Sequence, residues 1–246
     1  MHEVLVGWPW LSLAFAVLFL AWWFLRRRGT LPFRSRFTEP SWLLWLPLPV
    51  YMLHQFEEHG VDLFGRHYHF QTDLCTALGY ANVADCPATE VFICAVNVGT
   101  VWIAGLVAGV LGPRRPIAAA GMIGLLAVNV VAHLGPFVRN GGAYNSGLLS
   151  AVVLFLPVVV WLFRALLARG FFRRRDVLLG VAVGFLMHAV LLGSVTLADK
   201  GLLSSSALVA IQIVNGFVPL GISFLLERQP PSEARPESIS SLTARR

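Results

Sequence analysis

The sequence predicts an all-α polytopic membrane protein of about seven transmembrane helices, its N-terminus outside and its C-terminus cytoplasmic. Composition is the first observation behind this. Hydrophobic residues make up 57% of the chain and charged residues 13%, against roughly 25% charged in a soluble domain, and the mean hydropathy is +0.70. The second is spacing. Apolar runs recur at about 4–25, 41–58, 91–111, 117–138, 146–167, 177–198 and 203–226, each close to the ~20 residues that cross a hydrocarbon core. Continuous runs of this length satisfy their backbone in lipid as helices. The net charge of +6 is scattered between these runs, so a bilayer is the expected partner and nucleic acid is not.

Orientation follows from the loops. Arg26, Arg27, Arg28, Arg34, Arg36, Arg114, Arg115, Arg164, Arg169, Arg173, Arg174, Arg175, Arg228, Arg235, Arg245 and Arg246 fall on one side, and Arg66, Arg139 and Lys200 on the other. A bias of sixteen against three places the first side in the cytoplasm. The first run has Glu3 before it and its Arg cluster after it, the flank order of an N-out anchor rather than of a cleaved leader. Residues 1–228 therefore read as one transmembrane domain with a long external loop at 59–90, and 229–246 as a disordered tail.

Each run carries its own signals. Pro47 and Pro49 in the second predict a bend before His54. Gly105, Gly109 and Gly112 in the third, and Gly121 and Gly124 in the fourth, predict close helix packing. In the external loop Cys75 and Cys86 sit where a disulfide is permitted; two free thiols, or pairing of either with Cys94, are the alternatives. No CxxC or zinc-type Cys/His spacing exists, which argues against thiolate metal chemistry.

The second run ends in Leu53-His54-Gln55-Phe56-Glu57-Glu58-His59. His54, Glu57 and Glu58 are spaced i, i+3 and i+4, hence on one helix face, while Gln55 points elsewhere. At a 1.5 Å rise, His54 lies roughly 18 Å and Glu58 roughly 24 Å from a cytoplasmic start at Trp42. By the same measure His133 lies about 24 Å and His188 about 17 Å into outward-running spans, and Asn97 about 9 Å below the outer surface. Asn129 shares a face with His133 at i, i+4. This polar layer in the outer half of the bilayer is costly unless compensated, and a divalent cation is a natural compensation for imidazoles and carboxylates.

His54-x-x-Glu57-Glu58, then Asn129-Val-Val-Ala-His133, Arg139 and Tyr144-Asn-Ser-Gly147-Leu148 resemble the HXXEE-motif family of small bacterial membrane proteins over about residues 43–160. The family pattern has Pro where Ser146 stands. The resemblance implies a metal-dependent membrane enzyme of the bacterial cytoplasmic membrane, with its reaction open.

The metal ligands expected are His54, Glu57, Glu58, His133 and His188, supported by Asn97 and Asn129; zinc is favoured over iron. The Glu not engaged as ligand is expected to act as general base, with Arg139 to clamp an acidic head group and Tyr144 to donate to an oxyanion. Each has a plainer reading. Glu57 and Glu58 can mark a solvated helix end, His133 and Asn129 an interhelical hydrogen-bonding pair, His188 a satisfied core histidine, Arg139 a snorkelling side chain and Tyr144 an interfacial aromatic. His59 can add a ligand, while His67 and His69 belong to the loop. Lys200, the single lysine, lies at a helix end, which excludes a retinal Schiff base. No phosphate-binding Gly loop or nucleophile elbow is present. Three function classes remain: metal-assisted hydrolysis of a lipid-phase or amphipathic substrate, with iron-dependent oxidation beside it; a proton- or metal-coupled carrier; and a structural membrane protein locked by a polar layer. The oligomeric state is not encoded in any pattern here.

Overall fold

The computed structural model describes residues 2–25 and 37–227. Arg26, Arg27, Arg28, Arg34, Arg36, the tail arginines and the predicted disordered tail lie outside the described residues, as do the side chains of residues 2–6.

Among the described residues every regular element is helical, apart from one isolated bridge between Val61 and His67. The helices are α1 (His2–Leu25), α2 (Pro40–Leu43), α3 (Pro47–His59), α4 (Phe70–Ala77), α5 (Glu90–Leu111), α6 (Pro116–Arg139), α7 (Leu148–Ala168), α8 (Arg174–Asp199), α9 (Ser205–Asn215) and α10 (Val218–Leu226). Five are long and apolar enough to cross a membrane: α1 from Gly7, α5, α6, α7 and α8. A sixth is formed if α9 and α10, bent by 47°, are taken as one broken span.

Of the seven expected spans, five meet the length and hydropathy of a membrane crossing among the described residues; the seventh does so only if α9 and α10 count as one, and the second does not. Pro47 and Pro49 have no N–H to donate, so α2 stops at Leu43 and α3 begins afresh at Pro47. Thirteen residues extend only ~20 Å, short of the ~30 Å hydrocarbon core. Depth measured along an unbroken helix from Trp42 does not apply to α3.

The core is organised around α6, the most buried span. Its small residues bring backbones into contact: a Cβ at Gly124 would lie 1.9 Å from Gly180 O, and one at Gly180 would lie 2.4 Å from Ala120 O. Such approach replaces hydrophobic driving force with close packing in lipid. On the other side of the molecule α1 packs along α3. Two spans contain π-helical turns, Ala95–Trp102 within α5 and Ala151–Phe155 within α7; such turns commonly re-aim side chains at functional sites.

Between α3 and α5 the chain forms a compact loop. Cys75 and Cys86 are joined by a disulfide, and Gln71 Nε2 donates to Ala88 O at 2.9 Å. Buried Asp62 holds the turn at 62–66 by accepting from the Phe64 and Arg66 backbone N–H groups, both at 2.9 Å, and pairs with the Arg66 guanidinium at 2.6 Å. Burial alone would raise its pKa, but these hydrogen bonds outweigh it and hold the carboxyl below its usual range.

Candidate metal centre

His54 and Glu58 are one helical turn apart near the end of α3, and His133 faces them from α6. All three are buried, His54 completely. Their ligand atoms lie within 4.8 Å of one another. His54 Nε2 is 3.3 Å from Glu58 Oε2 and His133 Nε2 is 3.4 Å from Glu58 Oε1. Ligands at the 2.0–2.1 Å bond lengths of a tetrahedral zinc site stand about 3.3 Å apart, so the spacing suits such an ion.

The hydrogen bonds behind the rings determine which nitrogen faces the centre. Asn145 Nδ2 donates to His133 O at 3.1 Å, which leaves Asn145 Oδ1 to accept from His133 Nδ1–H at 2.8 Å. Ser150 Oγ donates to Gly147 O, so it accepts from His54 Nδ1–H at 2.8 Å. Both rings then present a lone pair at Nε2. Two imine nitrogens and a carboxylate converge, all acceptors, and His54 Nε2 has no hydrogen-bond partner. One proton placed among them satisfies one contact and leaves the other; a divalent cation satisfies all three. The chemistry of this donor set therefore fits a metal ion.

The rest of the site encloses these three residues. Phe155 packs on His54 with ring centroids 4.4 Å apart, and Tyr51 meets it edge-on at 5.5 Å. Gly147 covers the other side with φ +90°, and a Cβ there would lie 2.7 Å from His133 Cε1 and 2.9 Å from His54 Cε1. Only glycine combines that conformation with that approach. Buried His59 lies behind Glu58, its Nε2 3.0 Å from Oε2, held against Trp8 and Phe70.

Glu57 is engaged differently from Glu58. Its carboxylate accepts from Leu149 N–H at 3.1 Å, Ser150 N–H at 2.6 Å and the Tyr144 hydroxyl at 2.7 Å. It anchors the first turn of α7, where free N–H groups favour an anion, and thereby positions Ser150 against His54. Tyr144 also accepts from Leu63 N–H at 3.2 Å, so its hydroxyl is fully engaged. Burial, with the Glu57 carboxylate, raises its pKa, which keeps it a donor. Asp73 of the loop accepts from Ser146 Oγ at 3.2 Å, bringing 60–90 over the same end of the molecule.

Of the remaining sequence candidates, His188, Asn97 and Asn129 make hydrogen bonds of their own outside the group of His54, Glu58 and His133. His188 Nδ1 lies 2.9 Å from Gly184 O on its own helix. Asn97 bonds Ile93 O and the Gln55 amide, at 2.9 and 3.1 Å. Arg139 is exposed at the end of α6. Asn129 donates to Tyr51 OH at 2.9 Å, one turn from His133. Ser150, Asn145 and Gly147 are partners of the histidines that no periodicity in the sequence assigns to them. Their signal lay in the segment 144–150, where small polar residues and a glycine lead into an apolar run.

Among known proteins, residues 45–162 match a family described as a protein of unknown function with HXXEE motif. No curated protein and no solved structure matches the chain.

Proposed function

From a chain whose residues 45–162 belong to the HXXEE-motif family, one of unknown function, we propose an integral membrane metalloenzyme centred on His54, Glu58 and His133. The observation that carries this reading is the meeting of two Nε2 lone pairs and a carboxylate in a buried site, with both Nδ1 atoms already committed to acceptors. The proposed ion is zinc rather than iron, since three ligands with one position left open suit catalytic zinc. The charge bias of the loops supports a site toward the external face of a bacterial cytoplasmic membrane.

A divalent ion bound here supplies Lewis acidity and brings the pKa of water toward neutrality. Glu58 turns one oxygen toward His133 and the other toward His54 and His59. His54, Glu58 and His133 would hold the ion, and the Glu58 carboxylate, backed by His59, would be the group nearest to a water bound there. Glu57 and Tyr144 hold the 144–150 segment in place and so orient both histidines. Gly147 and the 60–90 loop keep bulk water out. The reaction class this supports is hydrolysis of a lipid-phase or amphipathic substrate.

The test is elemental analysis of detergent-purified protein beside His54→Ala and His133→Ala, with His67→Ala as control. Near-stoichiometric zinc in the native protein and the control, lost from the other two, is the expected result. Metal absent from all four, or retained by both site variants, overturns the reading.

A further inference from the structure

Below the centre lies a second polar pair that the metal reading does not use. Tyr51 precedes His54 by three residues on α3, and Asn129 precedes His133 by four on α6, so the two form a layer directly under the ligands. Both are buried, with 5% and 7% of their surface exposed. Asn129 Nδ2 donates to Tyr51 OH at 2.9 Å, and Asn129 Oδ1 has no partner. The Tyr51 hydrogen has no acceptor among the described residues. Turning the amide over does not remove the deficit. Tyr51 would then donate to Oδ1, and the amide N–H and a tyrosine lone pair would be left instead. Either way the pair leaves one donor and one acceptor side by side in a buried site, where unpaired polar groups are expensive. By contrast, Tyr144 has both its hydrogen and its oxygen engaged.

We infer that Tyr51 and Asn129 form a ligand-binding subsite beneath the metal centre, which takes a head group carrying an acceptor beside an N–H or O–H donor, of the amide, carboxylic acid or hydroxamate class. This rests on the proposed metal site and deepens it. A carbonyl-type oxygen directed at the ion meets one member of the pair, and the neighbouring N–H or O–H meets the other. The pair discriminates against esters, which have no such hydrogen.

The experiment uses detergent-purified full-length protein loaded with Co(II), whose visible absorption reports the site, titrated with acetohydroxamic acid. Native protein should give a spectral shift that saturates. Tyr51→Phe and Asn129→Ala should keep the starting Co(II) spectrum and weaken hydroxamate binding about tenfold, the cost of one lost hydrogen bond to a buried partner. Equal affinity in all three proteins, or no shift in native protein that holds Co(II), overturns the subsite and leaves the pair a solvent site only. A native protein that gives no Co(II) spectrum fails before hydroxamate is added; that outcome overturns the metal reading and the subsite with it. Should Tyr51→Phe not elute as a folded species, Asn129→Ala decides alone.

Discussion

Gln55 and Glu58 occupy the same short helix, three residues apart and both buried, yet they face different surroundings. Gln55 accepts from Ser12 Oγ at 2.7 Å and Trp102 Nε1 at 2.9 Å, and donates to Asn97 O at 3.0 Å and Asn97 Oδ1 at 3.1 Å. Donors and acceptors balance, and the network ties α1, α3 and α5 together. On the side of Glu58 that faces His54 and His133, by contrast, acceptors meet acceptors, the two rings held in register by Ser150 and Asn145. Burial of a polar side chain in a membrane helix is therefore ambiguous; the count of donors against acceptors separates a helix-locking residue from a cation ligand.

Substitutions break the comparison at either side. The largest effect is expected from Glu58→Gln, which replaces an anionic ligand with an amide able to donate. Metal affinity should fall by more than about a hundredfold, beyond the 10–100-fold typical of groups that only orient a ligand. Thermal unfolding of the metal-free protein should be unchanged or higher. A parallel loss of stability and metal would show that Glu58 is structural.

Gln55→Leu should do the reverse. It leaves Ser12, Trp102 and Asn97 without their partner and should cost about 2–4 kcal/mol of stability, one to several unmade buried hydrogen bonds. Metal per folded molecule should stay constant; a drop would mean that the two faces are coupled. Ser150→Ala sharpens the cation side by removing the acceptor that orients His54. Its expected signature is a 10–100-fold weaker metal affinity, read by competition with a chelator, with thermal unfolding little changed.

The smallest effect concerns the loop. The folded-state pKa of Asp62 lies below the ordinary aspartate value of 3.8, so its contribution is fully present above that value and is lost as pH falls through the lower folded one. Asp62→Asn should flatten the acid limb of stability below about pH 4 by an amount on the order of 1 kcal/mol, one charge-assisted bond. An unaltered acid limb would show that the turn at 62–66 unfolds independently of that carboxylate.

Much of this arrangement could be read from the sequence. The i, i+4 pair His54 and Glu58, its partner His133 on another apolar run, and the glycines that seat helix on helix are all periodic features, and periodicity survives folding. What escaped was angle. Depth along the membrane groups Asn97 and His188 with His54, Glu58 and His133, but depth fixes one coordinate only: Asn97 turns to Gln55, whereas His188, bonded to Gly184 O through Nδ1, stays within electrostatic reach of Glu58 and His133. Glu57 and Glu58 are adjacent, about 100° apart around the helix, and nothing in their spacing says which one faces α6. The shortening of α3 was signalled by Pro47 and Pro49, which predicted a bend where the structure has a restart. Tyr51 stood at i−3 from His54, as Asn129 stands at i−4 from His133; matching those two offsets would have paired them.

The clamp at Glu57 also has a consequence for biosynthesis. His54, Glu57 and Glu58 leave the ribosome long before residues 144–150, yet Glu57 is complete only when Leu149 and Ser150 deliver their N–H groups, and His54 is oriented only when Ser150 arrives. The group proposed to hold the cation therefore assembles only once residues 148–150 of α7 are in place. If the proposed ion binds, its capture follows the docking of α7, and a chain with α7 misplaced lacks the bonds that complete Glu57 and orient His54.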